Sequence, residues 1–441
     1  MNRSTKHSTS PKGRLAPQSR TAEFTLPEGG VDTLLHTLAG IDSELPVFVY
    51  ERIDPLTRQP LTTWIGLRTD ATRVQGTDTA AALRAATVAA RADGPHGGVF
   101  AFLGYPGPHS TVHGDAGIPD ALLMRLIDYV TIDHRTGRGR VVHTSTEPDP
   151  ERTPEQWASA CGSGTATSLD LTSHEADFQW TTQTSAEQYT AGVRAFQQRG
   201  GASGVVLSVR VASEHRAEPM HSYRVLRTVN PSTRMFFLRH DQFALWGATS
   251  LPLLHLSDGH ITAETDGATH PVADEEHHWQ PSPKELGEYE VVADALVEDL
   301  AHVAAPGTLQ LTREREQRVF FGLGHLFAEA QAELAPECDA VDAVLAMHPH
   351  GATVGHPRSA AQTLIAELEQ VPRGPFAGLV GLFTAEEVDA TAVTRSMWTT
   401  PRGSVTQAGA KVVPASVAEH EYAESVLKTR ALRVTARRAS S

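Results

Sequence analysis

The sequence lacks the features that mark several large classes of protein. It contains only two cysteines, Cys161 and Cys338, which lie far apart and lack the spacing of a metal-binding pair. A disulfide framework or a cysteine zinc site is therefore not expected, and a reducing compartment is indicated. No apolar run approaches the roughly 18 to 20 residues that cross a bilayer. These absences predict a cytoplasmic protein without a membrane span.

The sequence also lacks an excess of positive charge, and it lacks flexible linkers between domains. The 441 residues include 38 Lys and Arg against 52 Asp and Glu, which gives a net charge of −14. This balance disfavours nucleic acid and anionic membrane surfaces as partners. The length suffices for a large core, and no Pro/Ser/Gly-rich linker or internal repeat divides it. The basic, acid-free segment 1–22 predicts a disordered tail.

The segment 421–428 places two carboxylates and one ammonium group at helical intervals. Glu421, Glu424 and Lys428 are spaced i, i+3 and i+7, so a helix would carry them on one face. The preceding run 407–413 is apolar and strand-like, and Gly409 would let its backbone approach a ligand closely. A strand followed by such a helix suits a small polyanion held through a metal ion. The alternative is a solvated charged face.

A second acidic pair opens another helical segment. Glu285 and Glu288 are three residues apart at the start of the run 284–303, whose apolar positions recur at helical intervals. Two helices that each offer a carboxylate pair could clamp one divalent ion, and Mg²⁺ prefers carboxylate oxygens. Surface charge is again the alternative, because the chain carries 52 acidic residues.

The rest of the chain alternates β-rich runs with amphipathic segments. Period-2 and apolar runs predict strands at 46–51, 97–105 and 121–133. Helical periodicity predicts helices at 186–200, 284–303, 313–334 and 357–370. The run 162–168 is the best candidate for a loop between an N-terminal part and the main body.

The sequence resembles the chorismate-binding enzymes, and among them most closely anthranilate synthase component I and aminodeoxychorismate synthase component I. The group also includes isochorismate synthase and salicylate synthase. Besides the segment 421–428, the blocks that carry the resemblance, in family order, are NPSTRMFFL (230–238), DGHITAETDGAT (258–269), HPHGATVGHPR (348–358), ELEQVPRGPFAG (367–378), TRS (394–396) and QAGA (407–410).

The resemblance implies an α+β fold. Two large antiparallel sheets would pack face to face with helices outside, and the site would lie in the cleft between them. Residues 23–160 would form the N-terminal part of the fold and residues 175–432 a chorismate-binding catalytic core. Both would belong to a single compact body.

The resemblance also implies a metal set and a catalytic histidine. Glu288 and Glu424 match positions that ligate Mg²⁺, and Glu285 and Glu421 are their helical neighbours in that set. His325 matches a histidine beside the substrate ring that assists loss of the pyruvyl group. The alternative for His325 is a core histidine on an apolar helix.

Further residues match positions that contact the substrate. Arg395 and Lys428 match the cations that hold substrate carboxylates, and arginine suits this role because its planar fork meets a carboxylate bidentately. Gly409 and Ala410 belong to the block whose backbone approaches a carboxylate. Thr269 matches the threonine of the family's Gly-Thr-Arg-Pro block and is expected to be catalytic.

Several residues depart from the family pattern. Leu251 stands where the family places a glutamate that acts as a general acid near the departing hydroxyl. Gly204 stands where members that add water carry a lysine base. The other departures from family residues are Ala268, Ala352, Arg358 and Lys411.

Three functions follow from this pattern. The first is addition of ammonia to chorismate with Mg²⁺, in the biosynthesis of aromatic amino acids or secondary metabolites. Because the chain ends without a glutaminase domain, a separate glutamine amidotransferase subunit is expected as partner. The second is an isochorismate- or salicylate-type synthase, which Gly204 disfavours. The third is a diverged member with altered or lost chemistry on a chorismate-like acid, which Leu251 favours.

Overall fold

The computed structural model describes residues 19–76, 78–106, 117–144, 152–272, 278–320 and 323–438. The strands in these ranges are β1 (Arg20–Thr25), β2 (Phe48–Ile53), β3 (Pro60–Val74), β4 (Gly98–Leu103), β5 (Ala121–Asp133), β6 (Arg138–His143), β7 (Thr181–Thr182), β8 (Gly204–Ser213), β9 (Arg234–His240), β10 (Phe243–Thr249), β11 (Pro252–Ser257), β12 (His260–Pro271), β13 (Gln310–Phe320), β14 (Leu323–Glu333), β15 (Gly355–His356), β16 (Leu379–Thr384), β17 (Glu387–Ala392), β18 (Ser396–Thr400) and β19 (Gly403–Val412).

The helices in the same ranges are α1 (Gly30–Ile41), α2 (Thr79–Arg91), α3 (Pro154–Gly162), α4 (Ala186–Arg199), α5 (Pro219–Val229), α6 (Pro283–Ala301), α7 (Ala340–Ala346), α8 (Gly351–Val354), α9 (Arg358–Leu368) and α10 (Ala418–Arg433), together with a 3-10 turn at Glu175–Phe178. No helix in the described part of the chain is both long enough and apolar enough to cross a membrane.

The strands form one antiparallel network that folds back on itself. One arm runs β5-β4-β16-β17-β11-β12-β14-β13, and the other runs β3-β2-β9-β10-β18-β19-β8. The pairing of β3 with β5 joins the arms. Phe48 of one arm stacks on Phe100 of the other, with 4.3 Å between the ring centroids. The two predicted sheets are therefore the two arms of a single network, packed face to face.

Residues on the central strands alternate between two apolar layers. On β2, Phe48 packs between the arms, whereas Val49 packs in a layer with α1 and α5. On β4, Phe100 lies between the arms and Val99 lies in a layer with α2 and α6. This period-2 alternation buries both faces of each arm. The resulting order is helix, sheet, sheet, helix, which confirms the predicted α+β fold class.

A buried charge cluster ties the two arms together. Arg234 on β9 donates two hydrogen bonds to the carboxylate of Asp389 on β17, at 2.7 and 2.8 Å. The Tyr50 hydroxyl on β2 donates a third at 2.5 Å. Burial pushes the pKa of Asp389 upward, but Arg234 and its neighbours outweigh it and hold that pKa far below its usual value. The carboxylate is therefore ionised and satisfied inside the core.

We expect Asp389→Asn to lower the free energy of unfolding by about 3 kcal/mol, because it leaves Arg234 buried without its counter-charge. A depressed carboxyl pKa stabilises the fold above the unfolded-state value, about pH 4, and this contribution is lost as the pH falls below it. Urea unfolding from pH 7 to pH 3 should therefore show a weaker acid dependence in the variant. Glu387→Gln removes a partly exposed partner of Arg52 and is the control. An equal loss in both variants would contradict the assignment.

Two predictions of local structure need correction. The segment 313–334 is not a helix, because β13 and β14 form an antiparallel hairpin there. Its Ala, Glu and Gln residues favour helix locally, but β14 pairs with β12 on its other side, and tertiary pairing overrides that propensity. The predicted tail is also too long, since β1 begins at Arg20 and pairs with β6. Residues 1–18 lie outside the described ranges.

Candidate active site

Seven of the ten predicted site residues line one cavity of about 100 Å³. It lies where β12, β14 and β19 meet the first turns of α6 and the middle of α10. The seven residues are Thr269, Glu288, His325, Arg395, Gly409, Glu424 and Lys428. The seven residues are spread along the sequence between positions 269 and 428, and the fold brings them together at one cavity, as the family resemblance implies. Their roles stay predictions.

The other three predicted residues do not line this cavity. Ala410 is fully buried on β19, between two residues that do line it. Glu285 is the N3 residue of a capping box: its Oε2 accepts from the Ser282 N–H at 2.6 Å, and its Oε1 lies 2.8 Å from the His270 ring. The Glu421 side chain is only 1% exposed. The predicted set of four metal carboxylates therefore reduces to two at the cavity.

Lysine side chains already neutralise those two carboxylates. Lys284 Nζ lies 2.9 Å from Glu288 Oε1 and 2.9 Å from Glu421 Oε1, so it bridges α6 and α10. Lys428 Nζ lies 2.7 Å from Glu424 Oε1 and donates to the Gly409 carbonyl at 3.2 Å. Burial raises the pKa of Glu288 despite Lys284, whereas Lys428 outweighs burial and keeps the pKa of Glu424 below its usual value.

The arrangement of these side chains does not fit a magnesium site. Carboxylate oxygens are suitable ligands for Mg²⁺, but Glu288 and Glu424 each hold an ammonium group at contact distance. Lys411 places a further ammonium in the same cavity. Within the described ranges, no group of three or more His, Cys, Asp or Glu side chains is arranged to hold a metal ion. Magnesium binding remains a prediction that this arrangement does not favour.

Three cations face the cavity and make it suitable for an anion. Arg395, Lys411 and Lys428 all line it. The Arg395 guanidinium makes no hydrogen bond or close ion pair with any residue that the structure describes, and burial lowers its pKa against the opposing charges of Asp266 and Glu424. Burial also lowers the pKa of Lys411 to about 8. An arginine in a cavity without a protein hydrogen-bond partner is a ready donor pair for a ligand carboxylate.

A bulge in β12 sets the position of Thr269 and His325. The register with β14 shifts between Gly267 and His270, and Ala268 adopts φ +61 in the left-handed region. The Ala268 carbonyl accepts a hydrogen bond from His325 Nδ1 at 3.0 Å, so Nδ1 carries the proton. Burial lowers the pKa of His325 to about 4. The imidazole is therefore neutral near pH 7, and its Nε2 is the basic nitrogen.

We expect Ala268→Gly to stabilise the protein by about 1 kcal/mol, because a left-handed conformation strains an L-residue and not glycine. Thermal unfolding would measure the change. Ala263→Gly, in the same strand, is the control, since Ala263 is not among the residues with positive φ. It should lose stability through the flexibility of glycine and a lost methyl group. Destabilisation of equal size in both variants would show that Ala268 carries no strain.

Leu251 faces the cavity at the place where the family pattern has a general acid. It lies between β10 and β11, is 2% exposed, and lines the cavity beside Ser250. Its backbone is fixed on both sides: its N–H donates to Thr249 Oγ1 at 3.1 Å, and its carbonyl accepts from Thr391 Oγ1 at 2.7 Å. The position that the resemblance predicts for a general acid is therefore an apolar part of the cavity wall in this chain.

The family model for the chorismate binding enzymes matches residues 51–434 of the sequence. The chain belongs to this family. Within it, the anthranilate synthase component 1 of Streptomyces coelicolor is 28% identical over 378 residues, which cover 78% of this chain and 74% of that protein. The one from Mycolicibacterium smegmatis is 29% identical over 352 residues, which cover 72% and 66%.

The match does not span the full length of every relative. The aligned part covers 56% of this chain and 56% of the anthranilate synthase component 1 of Lactococcus lactis, at 28% identity over 254 residues. In three dimensions the chain is similar to anthranilate synthase component I from Streptococcus pneumoniae, with a TM-score of 0.68, 22% identity, and coverage of 98% and 95%. It is also similar to MenF, the menaquinone-specific isochorismate synthase of Escherichia coli, with a TM-score of 0.70, 16% identity, and coverage of 95% of each chain. These likenesses show the fold of the chorismate binding enzymes.

Sequence reasoning did not assign Asp266 to the site, and it named Lys411 only as a departure from the family pattern, although both line this family member's cavity. Asp266 on β12 lines the cavity, and its Oδ2 accepts a hydrogen bond from Ser250 Oγ at 2.7 Å. Burial raises its pKa, but His325, Ser250 and Arg395 outweigh that effect and lower it. The available signal was an aspartate inside the block 258–269, which the sequence analysis used only as a carrier of the family resemblance.

Proposed function

We propose that this protein binds chorismate in the cavity and adds ammonia to its ring. The observation that carries the proposal is the Arg395 guanidinium, which faces the cavity beside Lys428 without a hydrogen bond to any described residue. Chorismate is a dicarboxylic acid, and a bidentate arginine with a nearby ammonium suits two carboxylates. The family membership supports the same class of substrate.

The choice of ammonia over water rests on Gly204. This residue lies on β8 outside the cavity lining, and a Cβ there would lie 3.3 Å from both a Val291 methyl and the Val412 carbonyl. The position therefore offers no lysine that could deprotonate water. Neutral ammonia is a stronger nucleophile than neutral water and can add without prior deprotonation by a lysine, which favours amination over an isochorismate-type hydration.

Two chain residues would serve the chemical steps. Thr269 follows Ala268 in the bulge of β12, and His325 on β14 donates a hydrogen bond to the Ala268 carbonyl. Both residues line the cavity. Ammonia adds to the ring and loses one proton, and the ring hydroxyl departs with that proton as water. During this step Arg395 and Lys428 would hold the substrate in one orientation. The neutral imidazole of His325 could then take a ring proton through Nε2 as the pyruvyl group leaves.

A second candidate function is supported by Leu251. A member without the general-acid carboxylate could bind a chorismate-like acid and carry out altered chemistry or none, because general acid catalysis contributes about 10²- to 10⁴-fold. The expected consequence is slow turnover and not lost binding. The amination proposal also implies a separate subunit that supplies ammonia from glutamine, so free ammonium should be required when the purified chain is assayed alone.

One incubation separates these functions. Purified protein is mixed with chorismate and ammonium, with and without Mg²⁺, and the products are identified by mass spectrometry. An aminated product supports the proposal, and a hydroxylated isomer supports the isochorismate type. Binding of chorismate by calorimetry without any product supports the diverged member. Absence of both binding and product would contradict all three.

A further inference from the structure

The lysines of this chain are few and concentrated at one place. The sequence has five lysines, and the first two, Lys6 and Lys12, precede the described residues. All three of the others lie at the cavity: Lys411 and Lys428 line it, and Lys284 contacts Glu288 at its edge. Elsewhere the described chain uses arginine for positive charge. The lysine ammonium is a compact point charge, whereas the arginine guanidinium is planar and delocalised. In this respect lysine resembles a small inorganic cation more than arginine does.

Lys411 lies near the end of β19 and lines the cavity. It follows Ala410, and its side chain occupies space that a smaller residue would leave open in the cavity. Its Nζ donates a hydrogen bond to the Glu288 carbonyl at 3.2 Å. The carboxylates whose charge acts on it are Glu288, Asp266 and Glu424, with Lys428 opposing them. The ammonium is therefore close to Glu288 and Glu424, the two cavity carboxylates to which the resemblance assigned a metal ion.

A divalent ion at this place would have to compete with a covalently attached cation. Lys284 already pairs with Glu288, and Lys428 with Glu424. Like charges repel strongly in a partly buried site, because the effective dielectric constant is low there. The lysine ammonium is also part of the chain, so it does not have to bind from solution as a metal ion does. The chain's own cation is therefore favoured over a free one.

We propose that the ammonium of Lys411 takes the place of the divalent metal ion, so that this site binds the carboxylate of its substrate without a metal. The inference rests on the proposed function, because it assumes a chorismate-type dicarboxylic acid as the ligand. An ammonium group has three N–H donors, and one of them is used by the Glu288 carbonyl. The other two can donate to one carboxylate of the substrate, while Arg395 is available for the second.

A merely structural Lys411 would behave differently. In that case it would hold β19 against α6 through the Glu288 carbonyl, and its loss would lower stability without changing the effect of metal on ligand binding. A substituting cation predicts the opposite: its removal should create a metal requirement. The dependence of chorismate affinity on Mg²⁺ therefore distinguishes the two roles, and it needs no catalytic turnover.

The experiment is calorimetric titration of chorismate into wild type, Lys411→Gly, Lys411→Met and Lys411→Arg, each in EDTA and in millimolar Mg²⁺. Wild type and Lys411→Arg should bind with the same affinity in both conditions. The two neutral variants should bind more weakly in EDTA, by roughly 30-fold or more, since a buried charge partner is lost. Mg²⁺ should restore binding to Lys411→Gly, and direct titration of Mg²⁺ should give heat with this variant and none with wild type.

The wild-type comparison remains decisive even if a variant fails to fold. Binding of chorismate by wild type in Mg²⁺ but not in EDTA would overturn the inference and leave the proposed function standing. Failure to bind chorismate in both conditions would overturn the two together. Unchanged affinity of a folded Lys411→Met in EDTA would also overturn it, because the ammonium would then contribute nothing to the ligand.

Discussion

Leu251→Glu is expected to raise the rate of chorismate turnover by about 10²- to 10⁴-fold, the usual contribution of a general acid. The residue lies in the cavity wall, and hydrogen bonds from Leu251 to Thr249 and from Thr391 to Leu251 fix its backbone. A glutamate there would therefore face the ligand. Burial at this position should raise its pKa and favour the protonated, donating form, and the cations of the cavity act in the opposite direction. Single-turnover kinetics with saturating ammonium would measure the gain.

Leu251→Gln is the matched control, because it has the size of glutamate but no transferable proton. It should stay as slow as wild type while glutamate is fast. Wild-type turnover of order 1 per second or above would contradict the view of an impaired site. In that case a group other than residue 251 supplies the proton, and Leu251→Glu should give no gain.

Arg395→Ala is expected to abolish measurable chorismate binding. Leaving a buried carboxylate without its partner typically costs about 2 to 5 kcal/mol, which corresponds to a loss of roughly 30- to 4,000-fold in affinity. The melting temperature should change little, because the Arg395 guanidinium makes no hydrogen bond to any described residue and its burial is itself unfavourable. Calorimetry and thermal unfolding of the same preparation would test both statements.

Arg395→Lys keeps the charge and loses the planar fork, so it should bind with intermediate affinity. If Arg395→Ala instead unfolds at a much lower temperature, the arginine stabilises the fold and its assignment as a ligand for the substrate is wrong. If affinity is unchanged, the substrate carboxylate is held by other cations of the cavity.

The sequence carried enough information for the scaffold of the site. The spacing of Glu421, Glu424 and Lys428 predicted a helix, and α10 contains all three. The apolar periodicity after Glu285 predicted α6, and Ser282 with Glu285 forms a capping box at its start. These features are local, because each follows from residues within two turns of one helix.

The details that decide the chemistry were not local. The helix predicted at 313–334 was wrong because its partners, β12 on one side and β13 on the other, are set by tertiary pairing. Glu285 was assigned to the metal set from its spacing, but the spacing could not show that its carboxylate would cap its own helix. Asp266 was missed because only the folded chain shows that this position of β12 lines the cavity.

The scarcity of lysine has a practical consequence for spectroscopy. Reductive methylation with ¹³C-formaldehyde attaches labelled methyl groups to primary amines, so this chain can give lysine signals from only five side chains. Three of those side chains surround the cavity, and Lys6 and Lys12 can be assigned by substitution. A ligand that enters the cavity should therefore shift the resonances of up to three lysines. The labelled methyl groups of three lysines would therefore report, by NMR, on the region where substrate would bind.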